Sequence, residues 1–454
     1  MLTDRQSNTV SGATPEAVRH FDEALRSFNI YRGDPLASID AATAGAPSFA
    51  QAHLLKGFIL ALATEPAANA DAVRIADNVK GMPLAKREAS QLAILDQLVE
   101  GNWVKAAAAM DFHNMRYPRD LVALQAGHLM DFYRGNARDL RDRIARALAH
   151  WTPDVPGYHA VLGMHAFGLE ESGDYARGEE VGRRAIDLEP LDCWAHHAVA
   201  HVMEMQGRAE DGIGWMVARE PYWSGDTNFF KVHNFWHRAL CHLDLGQMDQ
   251  VWALYDGPIR GSKSAVALDL VDASALLWRV WMAGHDAGGR WTELAEAWDA
   301  HADGVLYPFN DVHAVMAYLG AGRHDAIERL KKAQASAASR TTDTARWTTT
   351  IAQPLVEGFT AFARGDYRAS VEALHPVRFV ANQFGGSHAQ RDVIDWTLTE
   401  AAIRSGRRDV ALALSHERLA LKPHSPVNRE FVRRASALAE APGETGTLNV
   451  SLSC

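Results

Sequence analysis

The sequence has little cysteine, and much that would assign a common activity is missing. Its 454 residues hold three cysteines, Cys193, Cys241 and Cys454, at spacings that suit neither a zinc finger nor a disulfide framework. A reducing compartment is the simpler reading. The opening stretch MLTDRQSNTVSGATPEAV has no apolar core of the kind a secretory leader carries. No apolar run approaches the roughly 18–20 residues that a membrane helix needs. Together these predict a cytoplasmic protein with no membrane contact. A net charge of −10 with no basic run argues against nucleic acid as a partner, because phosphate binding needs a concentrated basic face. Strand signals are nearly absent: there is no sustained β-branched alternation and no Asn-Gly or Asp-Gly hairpin between two such runs. HExxH, the GxSxG elbow and a GxGxxG following a strand are missing too. The segment GPIRGSKS (257–264) has the wrong spacing for a phosphate loop.

What the sequence does have is a repeat. A helix end, a glycine, a polar pair and a new amphipathic helix recur at Gly33, Gly101, Gly135, Gly173, Gly207, Gly246, Gly284, Gly322, Gly365 and Gly406. Gly101 to Gly135 and Gly173 to Gly207 are each 34 residues, and Gly33 to Gly101 is 68. The midpoint of that double interval falls at TEPAAN (64–69), which supplies an eleventh turn. Later intervals lengthen to 38, 43 and 41 residues. A 34-residue helix–turn–helix period is the tetratricopeptide signature. Glycine fits each turn because the residue after a helix often takes a positive φ. The fold expected is all-α: a tetratricopeptide-like solenoid of about eleven helix pairs over residues 14–439. Flexible tails are expected at 1–13 and 440–454.

The tracts AHHAVAHVMEMQGR, HNFWHRAL, ALDLVDASALLWR, FNDVHAVMA and GGSHAQRD carry a further likeness. Over about residues 15–430 the chain resembles the tetratricopeptide repeat protein 38 family. The resemblance implies a strongly curved or closed helical solenoid. It implies no activity, which must be argued from the residues.

Nine of the 21 histidines lie between His150 and His242, and seven of the 13 tryptophans lie between Trp194 and Trp281. With each turn glycine numbered 15, positions 2, 5, 9 and 12 of the first helix face the concave side. In the unit ending at Gly207 these are Trp194, His197, His201 and Glu204. In the next unit His233 and Trp236 face inward, with His237 one step beside them. Side chains at i, i+3 and i, i+4 share a helix face, the geometry that His-x-x-x-His metal sites use. His197, His201 and His233 are thus candidate ligands for a divalent metal, zinc or iron. Without metal, His197, His201, Glu204 and His237 form a candidate acid–base set, since imidazole titrates near neutrality. Trp194, Trp236, Asn234, Asp272 and His313 are candidate substrate contacts on the same inner wall. The competing reading for all of them is a polar groove lining that binds a peptide or partner protein, the common use of such arrays. His165 and His196 read as core, Ser387 as an N-cap before His388, and Cys193 and Cys241 as small buried apolar residues. Two functions follow: a small-molecule pocket with metal-assisted or His/Glu chemistry, or a non-catalytic scaffold. A plugged interior favours the first, an open groove the second.

Overall fold

A computed structural model describes residues 2–439; Met1 and the tail expected at 440–454 lie outside the described residues. All regular structure there is helical, and the only strand-like pairings are two isolated bridges, Thr3 with Thr9 and Arg32 with Asn228. No helix among the described residues is long and apolar enough to cross a membrane.

The expected eleven pairs are present, from Pro15–Ile30 with Pro35–Gly45 to His388–Arg404 with Arg408–Leu421, and Pro426–Ser436 closes the array. Every one of the ten turn glycines has a positive φ, and the inferred eleventh turn is made by Thr64 at φ 57°. The hydrogen bonding repeats as well. After nine of the ten glycines the next residue donates its N–H to the carbonyl five residues back, as Asp174 does to Leu169, Arg208 to Met203 and Gln247 to His242; in the first unit the same bond runs from Arg32 to Ser27. This Schellman closure satisfies carbonyls that a helix end leaves open. Of the prolines between units, Pro308 opens a helix, whereas Pro221 sits in the last turn of Ala209–Trp223.

First helices form the inner layer and second helices the outer one. Every residue from Cys193 to Glu204 is buried, while its partner Ala209–Trp223 buries only Ala209, Gly212, Trp215, Met216 and Trp223. A helix apolar all round belongs inside, and one with a polar face belongs outside.

The solenoid is wound tightly enough that its successive coils touch. Gly33 N–H donates to Thr227 O at 2.9 Å, and Asn310 Nδ2 donates to Thr64 O at 2.9 Å. Asp343 N–H reaches Gly101 O at 3.1 Å, Asn382 Nδ2 reaches Gly135 O at 3.3 Å, and His388 N–H reaches Glu171 Oε1 at 2.9 Å. The turn of each early unit therefore docks onto a segment roughly six units further on. The helix His388–Arg404 packs against Cys193–Met205 and Ala267–Met282, filling the interior beside the central units.

The tail expected at 1–13 is corrected over its described part. Asp4, Gln6 and Val10 are buried. Gln6 Nε2 donates to Pro156 O at 2.9 Å, and Ser11 N–H to Glu88 Oε1 at 2.9 Å. The polar composition that suggested fraying supplies side-chain hydrogen bonds that anchor the segment.

The turn glycines differ in what surrounds them, and this separates two substitutions. A Cβ on Gly135 would lie 1.8 Å from Asn382 O, while one on Gly173 would meet nothing within 4 Å. Gly173→Ala is expected to lower stability by about 1 kcal/mol, the cost of a left-handed non-glycine residue. Gly135→Ala should cost about 3 kcal/mol or more, because the backbone contact between coils must also part. Urea unfolding midpoints of the two variants measure the difference.

Candidate metal centre

Helices Cys193–Met205 and Lys231–Asp244 are first helices of adjacent units and lie side by side. Asp192 caps the first by accepting from Ala195 N–H at 3.0 Å, which fixes where its register starts. The i, i+4 spacing then puts His197 and His201 on one stripe and His233 and His237 on the facing stripe. All four are buried, and each offers one nitrogen within 4.8 Å of the others.

His233 Nε2 lies 3.1 Å from His197 Nε2 and 3.1 Å from His237 Nε2. On their other nitrogens, His233 Nδ1 meets Asp272 Oδ2 at 2.7 Å and His237 Nδ1 meets Glu204 Oε2 at 2.6 Å. A carboxylate accepts only, so each Nδ1 carries the hydrogen and each Nε2 presents a lone pair. His197 Nε2–H can donate to His233 Nε2. The contact between His233 and His237 is then left with no hydrogen, two lone pairs facing at 3.1 Å. Either a proton or a cation must sit there.

The surroundings of His237 oppose the proton. Burial, with the neighbouring imidazoles adding to it, holds His197 and His237 well below the ordinary histidine value. Burial likewise lowers His201 to about 4. A divalent metal suits the same space. Tetrahedral zinc with Zn–N bonds near 2.05 Å has ligand edges of about 3.3 Å, close to the two 3.1 Å separations. The carboxylate behind each imidazole is the arrangement that orients and enriches histidine ligands.

The remaining expected residues separate into frame and bystanders. Asp272 is brought in as the partner of His233, and Gln390 Nε2 lies 3.5 Å from its other oxygen. Trp236 stacks on His233 at 5.3 Å, and Trp194 lies 4.9 Å from His197 while stacking on Tyr31 at 5.4 Å. Both indoles are buried wall. Asn234 spends its amide on Cys193 Sγ at 3.1 Å. His313 is outside the converging group; its Nδ1 donates to Phe309 O at 2.8 Å. His196 Nε2 donates to Pro190 O at 2.9 Å, consistent with a core role. Ser387 caps the last first helix as expected, in a capping box with Gln390.

Several groups at the centre were absent from the sequence reading. Glu170 Oε2 lies 3.4 Å from His201 Nδ1, and Glu171 Oε2 lies 3.0 Å from His388 Nδ1. Lys422 Nζ sits 3.7 Å from Glu204 Oε1. Arg279 is buried over Trp236 and donates to Ala275 O and Ala389 O; burial pushes its pKa down to about 10. Glu204, Cys241, Arg279, Arg418 and Lys422 share a cavity of about 40 Å³, room for water on the side of Glu204 away from the imidazoles, none of which lines it. Counting along the chain would have found Glu170: it is position 12 of the unit ending at Gly173, the register that picks Glu204 one unit later.

His128 stands apart, wedged between Phe167 and Trp194 with neither nitrogen hydrogen-bonded. Burial lowers its pKa to about 3. Such a histidine is neutral when folded but charges at its ordinary value when unfolded. Its share of stability is present above pH 6.5 and is lost as pH falls from there toward 3. Between pH 7.5 and 5 the loss is about 2 kcal/mol. His128→Phe is expected to remove that part of the acid sensitivity, read as a smaller drop in urea midpoint between those two pH values.

No family model matches the chain. Among solved structures it is similar to a chain of the APC/C hetero-tetramer Cut9-Hcn1, at 14% identity and TM-score 0.45, covering 92% of this chain and 76% of that one. It is also similar to the human IFIT1 dimer with m7Gppp-AAAA, at 13% identity and TM-score 0.43, covering 95% and 97%. The eleven helix pairs and their repeated glycine turns make this chain a tetratricopeptide-like helical-repeat protein.

Proposed function

We propose that the protein binds a divalent transition metal, zinc or iron, at His197, His201, His233 and His237, and uses it on a small molecule. The observation that carries this is the convergence of four buried imidazoles, with the Nε2 atoms of His233 and His237 3.1 Å apart and each ring backed by a carboxylate. A metal here would act as a Lewis acid on water or substrate. Glu204 flanks the imidazoles as a carboxylate for proton transfer, 2.6 Å from His237 Nδ1. The filled interior supports a small ligand over an extended peptide, since His388–Arg404 occupies the space that a groove would offer. The tracts resembling the tetratricopeptide repeat protein 38 family include those that build the centre, which supports placing the chain in that family.

The test is metal analysis of protein purified without a polyhistidine tag, followed by cobalt(II) replacement. At least one equivalent per chain and a tetrahedral cobalt spectrum are expected. Absence of metal, with no cobalt spectrum on addition, would sink the proposal and leave a scaffold with a buried histidine cluster.

A further inference from the structure

Glu170 and His201 pose a separate problem of unmet hydrogen bonding. Glu170 is 1% exposed and neither of its oxygens has a partner; His201 is fully buried and neither of its nitrogens has one. Their closest approach, His201 Nδ1 to Glu170 Oε2, is 3.4 Å. Buried polar atoms are nearly always satisfied, and four orphans side by side call for an occupant. A shared proton would serve one oxygen and one nitrogen and leave the other two atoms unmet.

Glu171 adds a third donor from the same helix end. Glu170, Glu171 and His201 each offer an atom within 4.8 Å of the others, a set distinct from the four-imidazole group except for His201. Glu171 is paired with two basic side chains, Oε2 lying 3.0 Å from His388 Nδ1 and 3.6 Å from Arg391 Nη2. His388 N–H and its ring nitrogen lie 2.9 and 3.0 Å from its oxygens, which fixes how the carboxylate is turned. Imidazole nitrogens point in diverging directions. With Nδ1 facing Glu170, Nε2 is the atom left for the other three histidines, whose rings lie as near as 4.3 Å.

We infer that the centre is binuclear: a second divalent cation sits between Glu170, Glu171 and His201 Nδ1, and His201 bridges it to the first metal. This rests on the metal reading of the four histidines. Charge supports it. Two carboxylates and a bridging imidazolate neutralise a dication and leave one extra negative charge toward the first metal. That metal otherwise has only neutral imidazoles, with Asp272 and Glu204 behind them. Formation of the bridge releases the remaining proton of His201 to solvent, as metal ligation by a protonated donor requires.

Zinc titrated into chelator-stripped protein, checked for unchanged helicity by circular dichroism, separates the two claims. Two equivalents per chain are expected for the wild type and one for Glu170→Gln, which keeps size and shape while removing the charge. Copper(II) loaded at two equivalents should show a spin-coupled pair by electron paramagnetic resonance, and Glu170→Gln should show isolated copper. One equivalent in the wild type, or two retained in Glu170→Gln, overturns the binuclear centre and leaves the first metal standing. No zinc in the wild type overturns both.

Discussion

Replacing His233 by alanine is expected to empty the four-imidazole site, with metal affinity falling about 100-fold or more. His233 is the hub: its Nε2 is the atom at 3.1 Å from both His197 and His237. Without it, the remaining nitrogens lack the ligand that closes the tetrahedral edge on both sides. Asp272→Asn tests the same residue from behind. The Asp272 carboxylate fixes the hydrogen on His233 Nδ1 and so aims the Nε2 lone pair inward. An amide in its place can present either an acceptor or a donor, and the tautomer is no longer enforced. Loss of such a supporting carboxylate weakens metal binding about 10–100-fold, so Asp272→Asn should lie between wild type and His233→Ala. His313→Ala is the control. It is buried in a similar layer but bonded to Phe309 O, and its loss should leave metal content unchanged. Competition with a chromogenic zinc chelator gives all three values. Equal loss in His313→Ala and His233→Ala would mean that metal reports general packing, not ligation.

The fold was legible because one device repeats. A positive φ after each first helix selects glycine ten times in eleven, and a 34-residue spacing betrays it even when the eleventh turn uses Thr64. The convergence of four histidines was legible for a related reason. His197 with His201, and His233 with His237, are local pairs, and adjacent units necessarily pack side by side. What the sequence hid lies at long range. Glu171 meets His388, 217 residues away, because the solenoid coils back on itself about six units later. Superhelical pitch is set by small packing rotations between units, and no local pattern encodes it. Lys422 reaches Glu204 by the same closure. The N-terminal segment misled for a different reason. Gln6 and Ser11 look like solvent-loving residues until Pro156 O and Glu88 are found beside them.

Arg143→Met is expected to be among the most damaging single changes outside the centre, at about 3–5 kcal/mol. Arg143 is 1% exposed on the outer-layer helix Ala137–Leu148, yet its side chain crosses into the inner layer. Its Nε and Nη2 donate to both oxygens of Asp131, at 2.7 and 3.0 Å, and Nη1 and Nη2 also reach Asn114 Oδ1 and Ala107 O. Gly127 makes room for it, since a Cβ there would lie 2.9 Å from the Arg143 side chain. The ion pair itself adds little net stability, because burying two charges offsets their attraction. Removing one partner is another matter: Asp131 is fully buried and would lose a bidentate cation. Arg134, at 2.9 Å from Asp131 Oδ1, retains some compensation and argues for the lower end of the range. The double variant Arg143→Met with Asp131→Leu separates the pair's net value from the penalty of a stranded charge. If desolvation dominates, the double variant should recover most of the loss in urea midpoint, although it lacks both charges. If it is as unstable as the single variant, then the contacts to Asn114 and Ala107, not the stranded carboxylate, are what Arg143 contributes.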